Sequence, residues 1–489
     1  MKLSPFFLSL SILLVLALFA HSPCVFADYP HARATEGLTA LDRYVAKEDD
    51  NFAWDLAQTD ETEEGIQCYT LSMTSQKWRD SSEVNRTVWD HWVTVCIPET
   101  VTHKTALMFI DGGSNRPRQE PREASRVIKD LARQSNCITA TVYMIPNQPL
   151  TFSDQMGMGR GEDALIAYTW NKFYRTGDEE WPLRLPMTKA VVRAMDAVQL
   201  FAASEKGGGH KVADFIVAGG SKRGWTTWTT TIVDARVRAL VPFVIDLLNV
   251  THSFRHHFES LGRWSAAVGD YQALDILKWL GTPENDALMD IVDPFSYVDR
   301  LTMPKLIVNA GNDQFFLPDS SQFYWDTLEG PKWIRYMPNV GHGLNRREAY
   351  NSLASFFIAN IQEQPIPVYS FSFEGENGIR IQLLPAANGE VLQPVNVALW
   401  EAYNPKSRDF RGQVIAYEPR TLEAAEEGVY EAFIDVPESG WKACFVELTF
   451  EGPQEDIPYK FTSGVRILPE TGVKEYVPSS APPKGFLSQ

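Results

Sequence analysis

The chain has 489 residues, too many for one ordinary hydrophobic core, which predicts at least two domains. Its formal net charge of −17 leaves no basic excess to neutralise phosphate, which argues against nucleic acid and anionic membranes as partners. Hydrophobic residues make up 44% of it, the ordinary share for a globular protein.

The N-terminus reads as a targeting segment. Lys2 is followed by FFLSLSILLVLALFA and then HSPCVFA. The apolar run is short for a membrane span, and Val25 and Ala27 are small residues where a signal peptidase cuts. The expectation is a signal peptide over residues 1–27 and an exported mature chain, periplasmic or secreted, without a stable membrane span. An uncleaved anchor is the alternative. Pro23 speaks against a lipid-modified Cys24. Four cysteines remain after cleavage, and export allows them disulfides. Cys68 and Cys96 lie in adjacent strand-like segments and are the expected pair. No Cys-x-x-Cys spacing points to zinc, and neither a metal nor a cofactor is expected.

Strand-like runs fill residues 28–105, among them YTLSMTSQKW and VWDHWVTVCIP. Alternation follows. ALMFIDGG predicts a buried strand, EASRVIKDLARQS an amphipathic helix and CITATVYMIP the next strand. PMTKAVVRAMDAVQLFAAS is helical, with Val191, Ala194, Met195 and Val198 on one face. VADFIVAGG, ALVPFVIDL, PKLIVNAG and KWIRYMPNVG are further strands, with helical material such as GWTTWTTTIV between them. This order implies an α/β architecture, a mostly parallel sheet covered on both faces. Residues 148–185 and 251–300 break the alternation with aromatic and charged residues and are candidates for lid-like insertions. From EQPIPVYSF onward short alternating strands predict a small all-β sandwich, residues 366–472, able to fold alone. The chain thus divides into a signal peptide (1–27), an α/β domain (28–363), the sandwich and a disordered tail (473–489).

Two apolar runs end in Gly-Gly-Ser, at Ser114 and at Ser221. Ser221 lies between a predicted strand and a predicted helix, where a sharp turn exposes the hydroxyl and the first helical N–H groups face developing negative charge. The glycine of the usual G-x-S-x-G spelling stands one place later, at Gly224. Prolines at 117 and 121 keep a helix from starting directly after Ser114. Ser221 is therefore the expected nucleophile, and the Gly112–Ser114 loop the expected oxyanion wall. The expected oxyanion donors are the N–H of Lys222 and those of Gly112 and Gly113.

A serine nucleophile needs a base. Among the histidines after Ser221, His252, His256 and His257 fall in an insertion, whereas His342 follows a late strand between two glycines. His342 is the expected base. Asp246 and Asp313 both end strands; Asp313 is favoured because its strand is the penultimate one. His252 and His256 have the helical i, i+4 spacing of metal ligands, but no third ligand is evident.

GGSKRGWTTW, NDQFFLPDS, PNVGHG, PNQPL, GEDALIAYTW and WPLRLPMTKAVVRAMDAV together resemble the PhoPQ-activated pathogenicity-related proteins over nearly the whole mature chain. The resemblance implies an α/β-hydrolase fold and marks Ser221, Asp313 and His342. It supplies no substrate. The Ser-x-x-Gly elbow is also similar to that of the glucuronoyl esterases. Two functions compete: an exported serine hydrolase of a small-molecule, peptide or glycan ester or amide, and a non-enzymatic binding or signalling protein on the same fold.

Overall fold

A computed structural model describes residues 30–116, 123–155 and 157–488. The expected signal peptide lies outside the described residues. Helix α1 (Ala40–Ala46) leads into three long strands, β1 (Ala53–Thr59), β2 (Ile66–Lys77) and β3 (Val88–Pro98). These pair antiparallel in sequence order. Cys68 and Cys96 face each other across the β2–β3 ladder and are joined in a disulfide. Cys137 and Cys444 are free and buried.

The parallel part of the sheet follows. It comprises β4 (Thr105–Ile110), β5 (Thr139–Val142), β6 (Asp214–Gly220), β7 (Val237–Phe243), β8 (Lys305–Ala310) and β9 (Lys332–Met337). The nine strands lie in the order β1-β2-β3-β5-β4-β6-β7-β8-β9. From β4 the chain crosses through α2 (Arg126–Ser135) to β5 on one side, and later returns to place β6 on the other. Such a switch opens a crevice at the carboxyl ends of β4 and β6. With its helices on both faces, this is the α/β-hydrolase architecture expected from the sequence.

Side-chain alternation explains why both faces are covered. Ala106, Met108 and Ile110 of β4 join one hydrophobic cluster, with α4 (Arg184–Ala203) and α5 (Lys222–Val233). Leu107, and Ile216 and Ala218 of β6, join the other, with α2 and α9 (Arg346–Gln362). A strand buried on both sides has no polar face to show to water. The two aromatic insertions are helical: α3 (Glu162–Thr176) meets α7 (Gly269–Ala273) and α8 (Pro283–Val292), and Phe254 of α6 (Val250–Leu261) packs on Tyr271 of α7. Tyr174 stacks on Trp279 with ring centroids 4.7 Å apart, and Trp170 lies 5.5 Å from Tyr271.

Beyond α9 the chain forms two antiparallel sheets. One holds β10 (Val368–Glu374), β11 (Gly378–Leu384), β14 (Ala424–Glu426) and β15 (Val429–Phe433). The other holds β12 (Asn396–Asn404), β13 (Glu418–Thr421), β16 (Trp441–Gln454), β17 (Ile457–Thr462) and β18 (Arg466–Leu468). Their inner residues, Ile379 and Ile381 against Leu399, Val446 and Leu448, share one cluster with Leu353 and Phe356 of α9. The Tyr369 hydroxyl donates to the carbonyl of Thr462 at 2.7 Å and to that of Ile334 in β9 at 3.3 Å. The sandwich thus has no separate core: the α/β unit supplies part of its apolar surface. The tail also departs from expectation. Tyr476 packs on Phe258 and Phe486 on Phe173, with centroids 5.6 and 5.4 Å apart, and the N–H of Val473 donates to Glu259. Two aromatic anchors outweigh the disorder-like composition of the residues around them.

Candidate active site at the strand-to-helix elbow

Ser221 joins β6 to α5 at φ 57°, ψ −126°, a conformation that a residue with a Cβ rarely adopts. Its N–H donates to the carbonyl of Phe243 at the end of β7, 2.8 Å away. Two of the glycines around it, Gly219 and Gly224, are steric necessities. A Cβ on Gly219 would sit 2.8 Å from the Arg223 carbonyl oxygen. One on Gly224 would sit 2.9 Å from the Gly219 carbonyl oxygen and 3.0 Å from that of Phe243. The second glycine stands at 224 because that turn of the helix crosses both strands. Ser114 has no such setting: its hydroxyl accepts the N–H of Arg116 at 3.3 Å, and α2 begins only at Arg126.

Lys222 is the first residue of α5, so its N–H has no carbonyl to bond within the helix. Its ammonium pairs with Glu162 at 2.8 Å and Asp163 at 3.2 Å. Arg223 clamps Glu162 through both terminal nitrogens, at 2.9 and 2.7 Å. Burial pushes the Glu162 carboxyl up, but Arg223 and Lys222 outweigh it and hold it down at about 2. The loop after β4 differs from expectation in one donor. The Gly112 N–H is spent on the Asp111 carboxylate at 2.7 Å, whereas the Gly113 N–H makes no hydrogen bond among the described residues. Gly113 has φ 150°, and a Cβ there would meet Met144 at 3.0 Å.

Asp313 and His342 come from the loops after β8 and β9. The Asp313 carboxylate receives the N–H of Phe315 on one oxygen at 2.8 Å, and its other oxygen lies 2.8 Å from His342 Nδ1. The acid is buried and the imidazole half-buried. The Gln314 amide oxygen receives the His342 N–H at 3.0 Å, and a Cβ on Gly341 would lie 2.9 Å from it, so a larger residue would displace that side chain. The rings of Phe315 and Phe316 lie 4.5 and 5.9 Å from the imidazole and line the same pocket as Ser221. Among the described residues the Ser221 hydroxyl makes no hydrogen bond. The Asp313–His342 contact is therefore formed, and no hydrogen bond joins Ser221 to His342.

Both loops are fastened from the C-terminal unit. The Asn312 amide donates to the carbonyls of Phe410 and Ile415 at 2.8 and 3.0 Å. Asn339, before His342, exchanges two bonds with the backbone of Tyr417, at 2.9 and 2.7 Å. The rival acid, Asp246, is elsewhere engaged: the hydroxyls of Tyr324 and Tyr336 donate to it at 2.5 and 2.6 Å. Burial raises its carboxyl to about 7 despite those bonds. His252 bonds Asn249 at 2.7 Å and His256 bonds Asp319 at 3.0 Å; no group of three metal-ligating side chains occurs among the described residues.

Ser221 opens into a pocket of about 700 Å³, its open mouth included. Trp170, Trp225, Phe254 and Tyr271 wall it, with Arg184 and His257 as polar members. Burial lowers His257 to about 3, so it is neutral at physiological pH. Arg184 and Tyr271 did not emerge as pocket residues from the sequence. The usable signal was Arg184 itself, a charge inside the apolar run WPLRLP.

Sheet order, elbow and loop placement define an α/β-hydrolase-fold protein. Residues 41–411 match the family model of the PhoPQ-activated pathogenicity-related proteins, and the chain belongs to that family. It is 37% identical over 457 residues to autocrine proliferation repressor protein A of Dictyostelium discoideum, covering 88% of this chain and 91% of that one. Solved structures similar to it include acetyl xylan esterase 1 from Thermoanaerobacterium sp. JW/SL YS485, with a TM-score of 0.46, 16% identity and coverage of 66% of this chain and 92% of that one. The acetyl xylan esterase from Paenibacillus sp. R4 has a TM-score of 0.44 and 14% identity, with the same coverage of 66% and 92%. No helix among the described residues is long and apolar enough to cross a membrane.

Proposed function

We propose that the protein is an exported serine hydrolase of an ester or amide. Ser221 Oγ attacks the carbonyl carbon and passes its proton to His342 Nε2. Asp313 holds the Nδ1 proton and so fixes the tautomer. The N–H groups of Lys222 and Gly113 receive the oxyanion. The imidazolium then protonates the leaving group, and water, deprotonated by the same nitrogen, releases the acyl chain. The observation that carries this reading is the strained serine beside a pocket whose Phe315 and Phe316 support an imidazole already bonded to a buried carboxylate. Export is supported by the N-terminal apolar run and by the Cys68–Cys96 disulfide, which persists in an oxidising compartment.

A fluorophosphonate probe should label wild type at Ser221 and leave Ser221→Ala unlabelled, and a panel of aryl esters and peptides should give turnover that the variant lacks. A second reading, a binding or signalling protein on a hydrolase fold, is favoured by the relative named as an autocrine proliferation repressor. Absence of both label and turnover in the wild type would leave that reading standing.

A further inference from the structure

The charges around the elbow do not balance. Lys222, Arg223 and Arg184 are three cations, and Glu162 and Asp163 two carboxylates. The carboxylates are engaged by Lys222 and Arg223, and Asp163 also receives the Tyr271 hydroxyl at 3.3 Å. Arg184 is left over. It lines the pocket with Ser221, is only 2% exposed, and has no carboxylate within ion-pair distance among the described residues. Its one hydrogen bond there goes from a terminal nitrogen to the Lys222 carbonyl at 2.9 Å, and its buried Nε has no partner. The guanidinium lies over the Trp225 ring at 4.1 Å. A π-face compensates a buried cation only in part, and a buried polar atom without a partner is costly. A planar guanidinium matches the two oxygens of a carboxylate, which can accept its N–H groups in parallel.

We propose that Arg184 is the binding site for a carboxylate on the substrate, so that this pocket takes esters or amides bearing one free carboxylate near the reacting carbonyl. The inference rests on the hydrolase reading and narrows its substrate class. The rest of the wall, Trp170, Trp225, Phe254 and Tyr271, would pack on the apolar part of the same molecule.

Two ester pairs place the charge on either side of the scissile bond: 4-nitrophenyl hydrogen glutarate against 4-nitrophenyl pentanoate, and 4-acetoxybenzoate against 4-acetoxybenzamide. In at least one pair the wild type should favour the anion by about tenfold or more in kcat/KM, the value of a charge-assisted contact. Arg184→Gln should bring that ratio to within about threefold of unity, and Arg184→Lys should retain part of it. A residue that only steadied the elbow through the Lys222 carbonyl would slow both members alike and leave the ratio unchanged. That outcome, or a wild-type ratio near unity in both pairs, overturns the proposal. If the wild type turns over none of the four and takes no fluorophosphonate label, the hydrolase reading fails separately. Calorimetric titration with benzoate against benzamide then decides. Preferential benzoate binding weakened about tenfold in Arg184→Gln supports the carboxylate site. No preference, or one the substitution leaves intact, refutes it.

Discussion

Gly224→Ala isolates the packing on which the elbow depends. The new Cβ would stand 2.9 Å from the Gly219 carbonyl oxygen, 2.9 Å from Ile245 Cγ2 and 3.0 Å from the Phe243 carbonyl oxygen. Ile245 can turn aside, but the two carbonyls are held in neighbouring strands. The Phe243 oxygen also receives the Ser221 N–H at 2.8 Å, so relief requires moving α5 away and stretching the bond that seats Ser221, the proposed nucleophile. Overpacking costs about 1–3 kcal/mol and a weakened backbone bond about 1 kcal/mol, while alanine regains about 1 kcal/mol of helix propensity. The net is a loss of about 1–3 kcal/mol. For a chain of 489 residues the melting entropy makes each kcal/mol worth only about 1 °C, so Tm should fall by about 1–3 °C. Turnover should fall far more, by about a hundredfold, because a displacement approaching 1 Å at a nucleophile costs that much. Gly220→Ala is the control for stability, since its nearest neighbours would lie 4.0 Å away. Its Tm should stay within about 1 °C of wild type. The assay is fluorophosphonate labelling rate and aryl-ester turnover, with calorimetry for Tm. If Gly224→Ala labels and turns over within threefold of wild type, the elbow does not depend on this contact and the reasoning fails.

Ser221→Ala should abolish turnover, His342→Ala should come close, and Asp313→Asn should lose about four orders of magnitude through the wrong tautomer; the Ser221→Ala/His342→Ala double variant should be little worse than Ser221→Ala. Asp246→Asn should cost far less, and an inactive Asp246→Asn beside an active Asp313→Asn would reverse the choice of acid. Replacing Cys68 and Cys96 by alanine frees a loop with a sequence separation of 28 and should cost about 3–4 kcal/mol, read by denaturant unfolding. Burial lowers His91 to about 4, below its unfolded value of 6.5. The folded state therefore binds fewer protons between those limits, and stability should be full above pH 6.5 and fall as pH drops through 4; His91→Gln, keeping a donor for Ser75 or Tyr143, should flatten that part of the profile.

Strand–helix alternation made the α/β class legible, because parallel strands buried on both faces leave continuous apolar runs. The strand-to-helix placement of Ser221 was legible from such a run and the helix after it, even though the glycine is displaced by one. That Asp313 and His342 would come together from the loops after the last two strands followed from their order. What the sequence did not carry was long-range. Nothing in Asn312 announces that it will bond Phe410 and Ile415, and nothing in Asn339 or Tyr417 announces that they meet. The tail was misjudged for a related reason: composition reports the cost of ordering a segment, whereas Phe486 finds its compensation on a helix more than three hundred residues upstream.

The fastening of the Asp313 and His342 loops has a consequence for how the protein is made. The strands flanking Ser221 are complete once Phe243 has been synthesised. The bonds from Asn312 to Phe410 and Ile415 span 98 and 103 positions, and that from Asn339 to Tyr417 spans 78. A growing chain therefore carries Asp313 and His342 long before it carries the segment that ties their loops down, and a chain stopped before residue 410 would hold every side chain of the proposed triad without the bonds to Phe410, Ile415 and Tyr417 that fasten those two loops.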